Sequence, residues 1–170
     1  MIRHNKYCLA EIVLFFLCMT LLSCGQRLTE GLAEIDPELV IHQGRLTELP
    51  ASANEIRAAQ WARVFSGESY LAFSADSEDI EMWLNKSTSV KSQNPVILDS
   101  ACRYLPDDYG KINSSDLTYH VDEYVPDFYR PLILEQGRLY EIPPDSQGHY
   151  QGKVIIDDCN HRVYVNVLWS

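Results

Sequence analysis

The spacing of hydrophobic positions changes along this chain, and each change predicts an element. Residues 12–22, "IVLFFLCMTLL", are an apolar run without a charge. Residues 25–40, "GQRLTEGLAEIDPELV", have little periodicity and contain Gly31 and Pro37, which predicts a tether with room for a short helical turn. Pro50 stops any regular element running into residues 54–65. There Ile56, Ala58, Ala62 and Val64 fit one face of a strand, while the alanines also suit a helix. The Ser66-Gly67 turn signal and the aromatic-rich run at 69–73 decide for a β-hairpin. "DSEDIEMWLNKS" then switches period: Ile80, Trp83 and Leu84 form one apolar stripe of a helix over 76–86. Asp76 is placed to cap its start, Glu78 and Asp79 suit the positive end of the dipole, and Lys86 suits the other end.

Regularity then lapses. A short strand is predicted near Val96–Ser100, and residues 86–130 are otherwise irregular, broken by Pro106 and Pro126. "LILEQGRLYEI" predicts a hairpin around Gln136-Gly137, "PPDSQGHY" a loop. In "GKVIIDDCNHRVYVNVLW", Val154, Ile155 and Ile156 lead to a polar turn at 157–161. Val163, Val165 and Val167 then alternate with Tyr164, Asn166 and Leu168. No internal repeat is visible. The expected class is α+β: a mainly antiparallel sheet with one short helix packed on a face. The expected division is a signal at 1–23, a tether at 24–40 and one domain at 41–170.

The apolar run at 12–22 is too short for a spanning helix, which needs about 20 residues. With Arg3 and Lys6 before it and Ser23 after it, it reads as a secretory signal. Leu21, Leu22 and Ser23 precede Cys24, and "LLSC" resembles the bacterial lipobox. The resemblance covers the first 24 residues; Leu22 is bulkier than usual and Glu11 lies close to the apolar run. It implies cleavage before Cys24 and acylation of Cys24, as by palmitate. One acyl chain holds a protein only marginally, at about 0.8 kcal/mol per buried methylene, so stable anchoring needs two or three. Gly25, rather than Asp, resembles the outer-membrane sorting pattern in a cell with two membranes. The expected location is the cell membrane or outer membrane, with the domain on the extracytoplasmic side and the membrane contacted through the lipid anchor.

Removing Arg3, Lys6 and Glu11 with the signal moves the formal charge from −10 to −11. That balance argues against nucleic acid as a partner and is read as solubility. Cys8 and Cys18 fall in the signal and Cys24 is committed to lipid, which leaves Cys102 and Cys159 as a candidate disulfide in a permissive compartment. The bridge would close a loop of roughly 57 residues and contribute about 3–4 kcal/mol. The alternative is two unrelated thiols, because sequence does not fix how closely the backbones approach.

The pattern "LPASANEI…F…SADSEDIEMWL" resembles one found in small uncharacterised bacterial lipoproteins and exported proteins. Leu49, Pro50, Ser52, Ala53 and Ile56 carry it, followed by Glu78, Asp79, Trp83 and Leu84. It covers roughly residues 49–85, speaks to fold, and implies no activity.

Chemistry leaves few traces. The histidines beyond the signal, His42, His120, His149 and His161, form no metalloprotease motif, and there is no C-x-x-C, phosphate loop or G-x-S-x-G elbow. "DDCNH" at 157–161 is dense in ligand side chains, but adjacent turn residues seldom converge on one tetrahedral ion. A turn held by Asp and Asn hydrogen bonds is the expected reading, and no cofactor or metal is expected. Trp83 is expected in the core rather than in a stacking site. Residues 104–131 stand out. Tyr104, Asp107, Asp108, Tyr109, Tyr119, Tyr124 and Tyr129 interleave rings with acids, with Asp122 and Glu123 adding charge. Tyrosine offers contact area at low entropy cost, so this stretch is a candidate partner-binding face for another envelope protein. Alternatively the same rings pin a long loop to the core. The expected function is non-catalytic binding or scaffolding; the alternative is an envelope hydrolase using carboxylates of this loop, which would need two carboxyls about 5–9.5 Å apart.

Overall fold

The computed structural model describes residues 31–99, 103–104, 125–129 and 132–170. In chain order the elements are strand β1 (Gly31–Glu34), helix α1 (Pro37–Gln43), strands β2 (Asn54–Ala62) and β3 (Gly67–Ser74), helix α2 (Ser77–Lys86), and then strands alone. These are β4 (Val96–Asp99), β5 (Arg103–Tyr104), β6 (Leu132–Ile133), β7 (Gln136–Ile142), β8 (Tyr150–Asp157) and β9 (Arg162–Trp169). Seven strands form one antiparallel sheet in the order β1-β2-β3-β9-β8-β7-β4, and β5 pairs with β6 in a second, two-stranded sheet.

Strict alternation gives the sheet two different faces. Leu71 and Phe73 of β3, Val154 and Ile156 of β8, and Val163, Val165 and Val167 of β9 point to the face covered by both helices. Val40 and Ile41 of α1, and Ile80, Trp83 and Leu84 of α2, complete that core. Burying a side chain such as Ile80 or Leu84 contributes about 1.5–3 kcal/mol. The intervening residues Tyr70, Leu139 and Ile155 face the other way, into a smaller cluster with Leu98, Val125, Tyr129 and Leu134.

Helix α2 is fastened at both ends. The Ser52 hydroxyl donates to Asp79 Oδ2 (2.5 Å) and accepts from the Asp76 amide (3.1 Å). Asp76 occupies the cap position, but its own side chain makes no cap bond. Trp83 packs edge-on against Phe73 at 5.5 Å, and its indole N–H donates to the Thr47 carbonyl (3.0 Å). Ser52, Asp79 and Trp83 all belong to the quoted 49–85 pattern, and here they lock the helix to the loop before β2.

The expected hairpins at 54–73 and 152–169 and the 76–86 helix are present, and the strand expected near Val96–Ser100 runs over Val96–Asp99. Three expectations change. Residues 31–40, read as tether, enter the fold: β1 pairs with β2, and α1 buries Val40. Asp36 Oδ1 accepts from the Glu38 amide (2.9 Å), Pro37 opens the helix, and the Gly44 amide closes it on Val40. The sheet therefore has two helices rather than one. Gly137 makes no turn. It lies within β7 opposite Asp157, and a side chain there would collide with the Ile156 carbonyl. Its lack of a side chain allows close strand approach. Finally, Val64 lies beyond β2, which ends at Ala62, and Ile56 is exposed because the β2–β3 register slips between Asn54 and Arg57.

Candidate interaction surface

The second face of the sheet is built around tyrosine. Residues 127–129 form one 3-10 turn, with the Tyr129 amide donating to the Pro126 carbonyl (2.8 Å). This sets the Tyr129 ring between Tyr70 at 5.2 Å and Tyr164 at 5.6 Å, both edge-on. The Arg57 guanidinium lies over the adjacent Phe128 ring at 4.8 Å. Val125 and Leu134 are buried in the same cluster. Tyr129 is wholly buried, so it anchors the 104–131 stretch instead of presenting a ring to a partner.

β5 and β6 hold the stretch at its ends. Arg103 pairs with Ile133 and Tyr104 with Leu132, so the chain leaves and rejoins through one two-stranded neck. The neck follows β4 and precedes β7, at the end of the sheet where Asp99 pairs with Gln136. Asp107, Asp108, Tyr109, Tyr119 and Tyr124 lie outside the described residues, as do Cys24, Cys102, Asp122 and Glu123.

Burial drives the Tyr129 phenol far above its ordinary range, and the Glu68 carboxylate and Tyr164 reinforce the shift. Burial also raises Tyr164, with Arg162 opposing and Asp157 adding to the effect. Both phenols stay protonated at neutral pH and offer neither a base nor a nucleophile there. Farther along the face, Glu68 Oε2 accepts from the Tyr70 hydroxyl (2.6 Å) and from Asn166 Nδ2 (3.2 Å).

Two other polar clusters have structural roles. Arg138 joins α2 to the β8–β9 turn, donating to Glu81 (2.6 Å), to both oxygens of Asp158 and to the Tyr140 hydroxyl (3.2 Å). Burial alone would lower its pKa, but the bonds to Asp158 and Glu81 outweigh burial and hold it charged. This is a structural clasp. The Asp157 carboxylate is buried, and its oxygens serve the turn. Oδ1 accepts from the Cys159 (3.1 Å) and Asn160 (3.0 Å) amides, and Oδ2 from the Asn160 side chain (2.8 Å). "DDCNH" thus folds as a turn held by Asp and Asn. No group of three metal-ligating side chains converges among the described residues. Cys159 is exposed on this turn and has no disulfide partner among the described residues; its candidate partner Cys102 lies outside them.

At the opposite end of the sheet from the neck, Trp61 and Trp169 line an open cleft of about 240 Å³ with Glu68, His149 and Leu168. Nothing in the sequence reading singled out these indoles. Both sit at one end of the sheet but on opposite faces, since Trp61 pairs with Glu68 and Trp169 with Gly67. No protein-family model, curated protein or solved structure matches this chain.

Proposed function

We propose that this chain is a lipid-anchored, non-catalytic binding module of the bacterial cell envelope. Cys24 carries the acyl anchor, the sheet is a rigid platform, and residues 105–124 are its partner-binding element. The observation that supports this reading is the β5–β6 neck, backed by the buried Tyr129. Together they tie both ends of an acidic, tyrosine-rich stretch to a packed sheet. Long excursions on a rigid scaffold are where binding residues concentrate. Residues 105–124 hold Asp107, Asp108, Asp116, Asp122 and Glu123 against the single basic residue Lys111, with Tyr109, Tyr119 and Tyr124 between them. Such chemistry suits a protein partner with a basic, partly apolar surface.

The test replaces residues 105–124 with a short Gly-Ser linker between Tyr104 and Val125 in the full chain. The expected result is an unchanged unfolding transition and loss of the partners captured from native membranes. Capture by the intact chain should weaken as salt rises. Identical partners with and without the stretch would refute the reading.

A further inference from the structure

The hairpin joining β2 to β3 is unusual for an exposed turn. Phe65 is 85% exposed and Val64 55%, although both are large apolar side chains. Leu32 is exposed on β1, paired with Trp61. The Arg63 guanidinium lies over the Trp61 ring at 4.6 Å, and it is the one charged group between Ala62 and Gly67. Trp169 lies at the same end of the sheet, its ring against Gly67. Apolar tips flanked by tryptophan and a basic residue are suited to the boundary between headgroups and acyl chains.

The position of this tip identifies its occupant. Gly31, the first described residue, pairs with Ala62, the last residue before the tip. Six residues lie between Cys24 and Gly31, and even fully extended the seven steps reach at most about 25 Å. A chain acylated at Cys24 therefore holds the tip next to the bilayer, where weak apolar contacts act at high effective concentration. The Ala62–Gly67 tip contains no acidic residue, and Glu68, which follows it in the cleft, accepts from Tyr70 and Asn166.

We propose that Val64 and Phe65 insert into the lipid interface and that Trp61 and Trp169 lie at headgroup level, as a second membrane contact. This rests on the acyl anchor at Cys24 proposed above. It also sets an orientation: the β5–β6 neck, at the opposite end of the sheet, faces away from the bilayer.

The experiment uses the full lipidated protein reconstituted in phosphatidylcholine–phosphatidylglycerol vesicles, with plain or brominated acyl chains. Of the three tryptophans, Trp83 is buried against Phe73, so quenching by bromine reports Trp61 and Trp169. Brominated vesicles should lower the emission of the wild-type protein. The double substitution Val64→Asp, Phe65→Asp should abolish that loss and keep the thermal transition, since both side chains are exposed. Equal emission in the two kinds of vesicle would overturn the proposal and leave the tip to a protein partner. Equal quenching in wild type and variant would overturn it too. Labelling of Cys24 with a fatty-acid analogue separates the premises. A labelled but unquenched protein defeats the inserted tip alone; an unlabelled one defeats the anchor and the tip together.

Discussion

The Tyr129 ring is satisfied by Tyr70 and Tyr164, while its hydroxyl is buried without a hydrogen-bond partner among the described residues. An unmade buried hydrogen bond costs about 1–3 kcal/mol. Tyr129→Phe keeps the ring and removes that cost, so it should leave urea-unfolding stability unchanged or raise it by up to about 2 kcal/mol. Tyr129→Ala should lose about 3–5 kcal/mol. The phenol also fixes a pH dependence. Its folded pKa lies above the unfolded value of about 10, so the folded state keeps a proton that the unfolded state releases. Stability must then fall as pH rises past about 10, by about 1.4 kcal/mol per unit from this group. Unfolding measured on either side of that pH should show a shallower decline in Tyr129→Phe than in the wild type. At Trp83, replacement by Phe retains most of the packing but removes the bond to Thr47, for an expected loss of about 1 kcal/mol or somewhat more.

Among the elements, α2 tests how far a loop side chain can replace a missing cap. Asp76 makes no cap bond of its own, and Ser52 links the amide of Asp76 to the carboxylate of Asp79. Ser52→Ala should cost about 0.5–2 kcal/mol, read as a lower denaturation midpoint with an unchanged slope. Gly137→Ala should destabilise by about 1–3 kcal/mol, because the added methyl meets the Ile156 carbonyl. Helix α2 and the β8–β9 hairpin were legible in the sequence because each repeats its period long enough to be unambiguous. Helix α1 has a complete capping signature, Asp36-Pro37-Glu38 with Gly44 at the far end, yet its seven residues give Val40 and Ile41 too little length to show a stripe. Strand β1 is an exposed edge, so no alternation marks it. Gly137 reads as a turn from either side of it; only Ile156, across the sheet, shows that it permits close approach. The neck was equally hidden, since pairing Arg103 with Ile133 leaves no local signal.

On the scale of the whole molecule, the two ends of the sheet have different surfaces. One carries Gly31, the exposed Phe65 tip and the Trp61–Trp169 cleft; the other carries the neck. Arg138 ties α2 to the β8–β9 turn at the neck end, so Arg138→Met should loosen that junction by about 1 kcal/mol, an effect that shrinks in high salt. Among the described residues no helix is long and apolar enough to cross a membrane. Under the proposed function, the acyl group on Cys24 would supply attachment and the 105–124 stretch the binding. The most direct measurement is the mass of the N-terminal peptide of the protein extracted from native membranes. The expected peptide begins at Cys24 and carries acyl chains, with Met1–Ser23 removed. A peptide that retains those residues, or an unmodified Cys24, would contradict the proposed anchor.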